Sequence, residues 1–247
     1  MRSKEVSKLN SILSHPRPTI WSILCQFLGL PVTIPLYFLV SVWTTSYATY
    51  SRAVGRPIPP AAAKALTPSV ALGFIIPTIL SLLPYPHLDT QRTMVTFSMA
   101  APIFVGVFAH ATTRLVQLFE EPSPFDIYTK KDVAATKGAY LFAFLIGAIK
   151  HLVFVAYSTI SLSPMSWPRV LGELPGTVII CAVSTMLWCL FSIYELRRLG
   201  YITTDRAVVA SLTVIVGNFL VGPGATYAAT WSYREDVLAQ LGKSDGE

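Results

Sequence analysis

Apolar runs long enough to cross a lipid bilayer recur six times along this 247-residue chain and leave little sequence between them for anything else. A hydrocarbon core about 30 Å thick takes roughly 20 apolar residues, each rising about 1.5 Å along a helix. LFAFLIGAIKHLVFVAYSTISL (141–162) and GTVIICAVSTMLWCLFSIY (176–194) meet that length outright. The other four runs cover about 20–47, 66–83, 93–116 and 207–230. Lipid offers the backbone no hydrogen-bonding partner, so each run is expected to close its bonds within a helix. The expected fold class is all-α: a polytopic transmembrane helical bundle of about six spans.

Charge agrees with that solvent. Only 13% of the residues are charged, about half the complement of an average soluble domain. The net charge of +6 is spread over loops and termini, as befits contact with anionic headgroups, and forms no stripe for nucleic acid. Basic residues divide almost evenly between the two sides of the six spans, so no positive-inside bias orients the chain. A polar N-terminus (1–19) and a polar C-terminal tail (231–247) flank the spans, and no internal repeat or low-complexity tract divides them. We expect one integral membrane domain over 1–247, multi-pass and resident in the endoplasmic reticulum. The N-terminus has no short apolar core before a small-residue cleavage site, so no removable signal peptide is expected.

Prolines 31, 35, 68, 77 and 102 fall within apolar runs, where kinked helices are expected. The segment GNFLVGPGAT (217–226) predicts a close helix approach and a break in the last span, which lipid tolerates only against protein or a cavity. Cys25, Cys181 and Cys189 all lie in apolar runs and have neither disulfide nor zinc spacing, so they read as small apolar fillers.

Few residues are equipped for chemistry. Lys150 and His151 lie near the middle of the fourth run, where a charge costs about 2.5–3.5 kcal/mol and should turn inward. Lys150, Phe154 and Tyr157 share one helix face, giving either a polar site framed by rings or a lysine bonded to a neighbouring helix. Glu173 opens the fifth run and Glu195 closes it, about 33 Å away along a helix. Glu195 has the spacing to pair with Arg198. Partial burial would raise the Glu173 carboxyl toward proton-donor chemistry, whereas headgroup-level exposure would leave it an ordinary surface acid. Asn218 and Gln26 are isolated amides, with interhelical hydrogen bonding as their default role. No acidic cluster of the kind that holds a metal–diphosphate occurs, nor a P-loop, GxSxG, HExxH or GxGxxG motif. Diphosphate-ionising chemistry is therefore not expected, and no metal or cofactor is called for.

LGELPG (171–176), MLWCLFSIYELRRLGY (186–201) and VGPGATYAATWSYREDVLA (221–239) resemble the fungal membrane-bound terpene cyclases of the ascofuranone-pathway type. So do RPTIWSILCQFLGLPVTIPLYFLV (17–40) and AAAKALTPSVALGFIIPTILSLLP (61–84). The chain departs from that family in having FSMAAPIFV (97–105) where a Trp-Gln-x-Phe-Pro-like stretch is expected, and Glu173 in place of Asp. It is also short for the family.

The resemblance implies a cofactor-independent cyclase or isomerase of meroterpenoid secondary metabolism, acting in the lipid bilayer on a lipophilic prenylated small molecule, often epoxidised. It implies Glu173 as the catalytic acid and a substrate-binding wall of Lys150, His151, Phe154, Tyr157, Trp188, Tyr194 and Asn218. Aromatic faces would stabilise the cation and exclusion of water would protect it. Two other classes fit the same residues: a transporter or binding protein for a lipophilic metabolite built on Lys150 and His151, and a non-catalytic membrane scaffold.

Overall fold

The computed structural model describes residues 18–45, 59–120, 131–161 and 176–241. Among these residues all regular structure is helical. The elements are α1 (Pro18–Leu28), α2 (Leu30–Thr45), α3 (Pro60–Val70), α4 (Ile76–Leu82), α5 (Leu88–Met99), α6 (Ala101–Phe119), α7 (Lys131–Ser161), α8 (Gly176–Arg198), α9 (Thr204–Leu220) and α10 (Pro223–Leu241). A π-helical turn, Ala71–Ile75, joins α3 to α4. Four stretches are long and apolar enough to span a bilayer: Pro60–Leu82, Ala101–Phe119, Asp132–Ala156 and Gly176–Arg198. Phe27, Leu118 and Phe119 are 80–83% exposed, a distribution suited to hydrocarbon as the solvent. This is a helical membrane protein.

Three of the six expected spans are not continuous helices. The first breaks at Gly29, whose φ of 78° is open to glycine at little cost. The third breaks at Ala100, and the last ends at Leu220 before restarting at Pro223. Pro31, Pro102 and Pro223 each sit in the first turn of the helix that follows. There the missing N–H has no intrahelical partner to lose, so these prolines begin helices. Pro35 and Pro68 do lie inside helices.

The chain forms two compact units, 1–132 and 133–247. In the first, α3 packs against α6 through a row of small residues spaced four apart: Ala61, Ala65, Ser69 and Gly73, all buried. Small residues let two backbones approach, which is how helices associate where no hydrophobic effect drives them. A four-residue spacing drifts about 40° per step around a straight α-helix. The wider π turn falls where that drift would carry Gly73 away from α6. A Cβ on Gly73 would lie 2.5 Å from the backbone nitrogen of Val105. The Ser69 and Thr112 hydroxyls meet at 3.0 Å across the same seam, and Lys64 pairs with Glu120 at its end. At the other side of this unit Trp21 of α1 meets Tyr37 of α2 edge-on at 5.4 Å.

In the second unit α10 is the most enclosed helix, with Ala225, Thr226, Ala228, Thr230, Glu235, Val237 and Leu238 all buried. It runs antiparallel to α7, because Lys137 pairs with Asp236 while Gly147 abuts Ala225 and His151 abuts Gly222. The polar segment from Trp231 thus begins as the second half of α10. α8 packs on both α9 and α10. Its end is secured by Arg198 bonding Glu195 at 2.9 Å, as their spacing predicts, and by Arg197 bonding the Thr204 hydroxyl at 2.8 Å.

Gly73→Ala should destabilise the detergent-solubilised protein by about 1–3 kcal/mol, since the α3–α6 seam must open. Gly138→Ala, where an added Cβ meets nothing within 4 Å, should be neutral or slightly stabilising by helix propensity. Thermal midpoints of the two variants measured side by side check both signs.

Candidate functional site: the α9–α10 break

A helix interrupted among apolar side chains must find partners for the carbonyls at its end. At the close of α9 the amide of Val221 bonds the Gly217 carbonyl at 2.9 Å, and the Gly222 amide bonds the same carbonyl at 3.2 Å. The Phe219 carbonyl would next look to residue 223, which is proline and has no N–H. His151 of α7 supplies the missing donor: its Nε2 lies 3.1 Å from the Phe219 oxygen. A carbonyl can only accept, so this nitrogen carries the imidazole proton.

Gly222 makes that reach possible. Its φ is 87°, and a Cβ there would lie 2.6 Å from Cγ of the His151 ring. One turn further back on α7, a Cβ on Gly147 would lie 2.9 Å from the Ala225 nitrogen. Two glycines on facing helices thus bring α7 against the start of α10 and set the imidazole over the break. Thr226 completes it by donating its hydroxyl to the Gly222 carbonyl at 2.9 Å, while resting 3.0 Å from where a Gly217 Cβ would be.

Asn218 sits at the same break. Its Nδ2 donates to the Val214 carbonyl at 2.9 Å, and its Oδ1 is buried without a hydrogen-bond partner. Trp188 is buried in α8, stacked on Phe191 at 5.8 Å, and the neighbouring Cys189 thiol meets the Thr230 hydroxyl.

The remaining sequence-predicted residues are placed elsewhere. Lys150, expected to turn inward, is exposed on α7. Phe154 and Tyr194 are 53% and 59% exposed. The Tyr157 side chain and all of Glu173 lie outside the described residues. The structure therefore brings His151 and Asn218 to one helix break, with Trp188 in the core of the same unit, and leaves Lys150, Phe154 and Tyr194 on outward faces.

Two buried carboxyls were not singled out by the sequence. Asp132 is in the first turn of α7, where the helix dipole favours an acid. Glu235 of α10 lies 3.7 Å from Arg234, whose guanidinium stacks 4.9 Å from the Trp231 ring centre. The readable signal for Glu235 was its spacing, seven residues after Ala228 and three before Leu238, both buried. Among the described residues no group of three or more His, Cys, Asp or Glu side chains is placed to hold a metal ion.

Residues 6–175 match the CtvD domain. The chain belongs to the CtvD-domain family. It is similar to the terpene cyclase ascI of Acremonium egyptiacum, 30% identical over 144 residues, which is 57% of this chain and 36% of that protein. It is also similar to the terpene cyclase rstn5 of Aspergillus nomiae, 25% identical over 237 residues, 90% of this chain and 64% of the relative. A third similarity is to the FAD-dependent monooxygenase ntnA of Nectria sp, 23% identical over 252 residues. That match takes in 97% of this chain but only 31% of the monooxygenase. The chain thus spans about a third to two thirds of the length of these relatives. No solved structure matches it. The resemblance to fungal terpene cyclases read from the sequence is upheld by these matches. The domain match includes Lys150, His151, Phe154, Tyr157 and Glu173 and stops before Trp188, Tyr194 and Asn218.

His151→Phe keeps a ring over Gly222 but removes the donor to Phe219, and should cost about 1–3 kcal/mol through the orphaned carbonyl. Gly222→Ala should cost more, because the positive φ and the ring contact both resist a Cβ. Thermal denaturation in detergent, with His151→Gln as the donor-retaining control, measures each.

Proposed function

We propose that this chain is a membrane-bound terpene cyclase of fungal meroterpenoid metabolism, closing a prenyl chain by acid-initiated carbocation chemistry. The observation that carries the reading is membership of the CtvD-domain family together with relatives named terpene cyclase. The substrate is a lipophilic prenylated molecule, epoxidised at the chain end, which reaches the protein from the bilayer of the endoplasmic reticulum. A monooxygenase-type partner reaction that supplies the epoxide accords with the match to the FAD-dependent monooxygenase over nearly the whole of this chain.

In this reading Glu173 is the acid. Its carboxyl proton passes to the epoxide oxygen, the C–O bond breaks, and the cation that forms is captured by a neighbouring double bond as the ring closes. The last cation loses a proton to a base, so the product is an isomer of the substrate. Tyr157 and Trp188 offer π faces that stabilise the positive charge. His151 and Asn218 hold the polar end of the molecule, and Lys150, Phe154 and Tyr194 extend the wall on the outward faces. The chain acts as a single membrane domain and uses no cofactor.

A binding or transport protein for a lipophilic metabolite is the second reading, favoured by the buried acceptor at the α9–α10 break. The two part at Glu173. In microsomes supplied with an epoxide of 2-farnesylphenol, Glu173→Gln should lower formation of the isomeric product by at least about a hundredfold, the scale of a lost general acid. Glu173→Asp should retain part of the activity. Equal product from the wild-type protein and Glu173→Gln would remove Glu173 from the mechanism.

A further inference from the structure

The donors at the α9–α10 break are already spent. The Nε2 proton of His151 goes to the Phe219 carbonyl, the Thr226 hydroxyl to the Gly222 carbonyl, and the Thr230 hydroxyl to the Thr226 carbonyl at 2.8 Å. Asn218 uses its Nδ2 on the Val214 carbonyl. That bond also fixes the amide's orientation, since turning it over would set oxygen against oxygen. What remains is Oδ1, an acceptor with less than 1 Å² of its surface exposed and no partner. A buried acceptor left unmet is costly, and native proteins rarely keep one without a role.

We propose that Asn218 Oδ1 is the binding point for a hydroxyl group of a lipophilic ligand, and that it selects ligands able to donate a hydrogen bond over those that can only accept. The proposal rests on the placing of Asn218 in the substrate site, and it deepens that reading by naming the ligand's polar group. A cationic donor is disfavoured because an ammonium entering an apolar bundle loses its hydration. A phenol or alcohol brings one proton at far lower desolvation cost. The recognition is by polarity: an ether of nearly the same shape presents oxygen lone pairs to the Asn218 oxygen and is rejected. Sites built to meet a hydroxyl discriminate strongly against analogues lacking it, because the protein's own polar group is then stranded.

The test measures binding, which separates it from catalysis. Tritiated 2-farnesylphenol and its methyl ether are bound to the full chain in lipid nanodiscs, for the wild-type protein and for Asn218→Leu and Asn218→Ala. The wild-type protein should bind the phenol about tenfold more tightly than the ether, the worth of one neutral hydrogen bond. Both variants should bind the two probes with nearly equal affinity, chiefly through loss of phenol binding. Equal affinities in the wild-type protein would overturn the proposal and leave Oδ1 bonded to a buried water only. A phenol preference that survives in a folded variant would place the hydroxyl elsewhere and overturn it too. Failure of the folded wild-type protein to bind either probe likewise overturns it. Preferential phenol binding with no conversion of the corresponding epoxide would sink the cyclase reading and leave this inference standing.

Discussion

Inside hydrocarbon a backbone carbonyl without a partner has no water to turn to, and the second unit is organised around one such carbonyl. Pro223 cannot serve Phe219, so α7 must pass close enough for His151 to do so. Gly147 and Gly222 permit that approach, and Thr226 closes the turn on the α10 side. Each of these residues is individually unremarkable in a sequence. Together they hold a discontinuous helix in an environment that otherwise forbids one. The break is also where buried polar atoms concentrate among residues that are otherwise apolar, so any ligand that needs orienting finds its handle there.

The first unit meets the same constraint by other means. Its seam is made of backbone proximity: alanine, serine and glycine every four residues along α3 and the π turn, lying on α6. No large side chain could replace this contact without separating the helices. A π turn within the seam is consistent with Pro77, which follows closely and whose missing N–H leaves the Gly73 carbonyl without its ordinary donor.

Hydropathy made the helical class, the membrane setting and the extents of α7 and α8 legible, because continuous apolar runs carry that information directly. The α9–α10 break was legible too, since Gly-Pro-Gly inside an apolar run has few other meanings. The small-residue seam was not, because alanine, serine and glycine hardly move a hydropathy profile. The inward turn of 231–241 was hidden for a related reason: Glu235 and Asp236 read as tail charge until Lys137 and Arg234 are seen beside them. Lys150 shows a further limit. Periodicity places it on a face with Phe154, but only packing decides which face is covered, and this one is not.

The terpene-cyclase relatives are longer than this chain, so the central question is whether these 247 residues suffice for the reaction. The direct measurement is single-enzyme conversion: the purified chain in lipid nanodiscs, given an epoxide of 2-farnesylphenol and nothing else, followed by chromatography and mass spectrometry. The account predicts a new compound of unchanged mass that forms in proportion to protein. Unchanged epoxide recovered from folded protein that demonstrably binds it would contradict the account and leave a binding protein in its place.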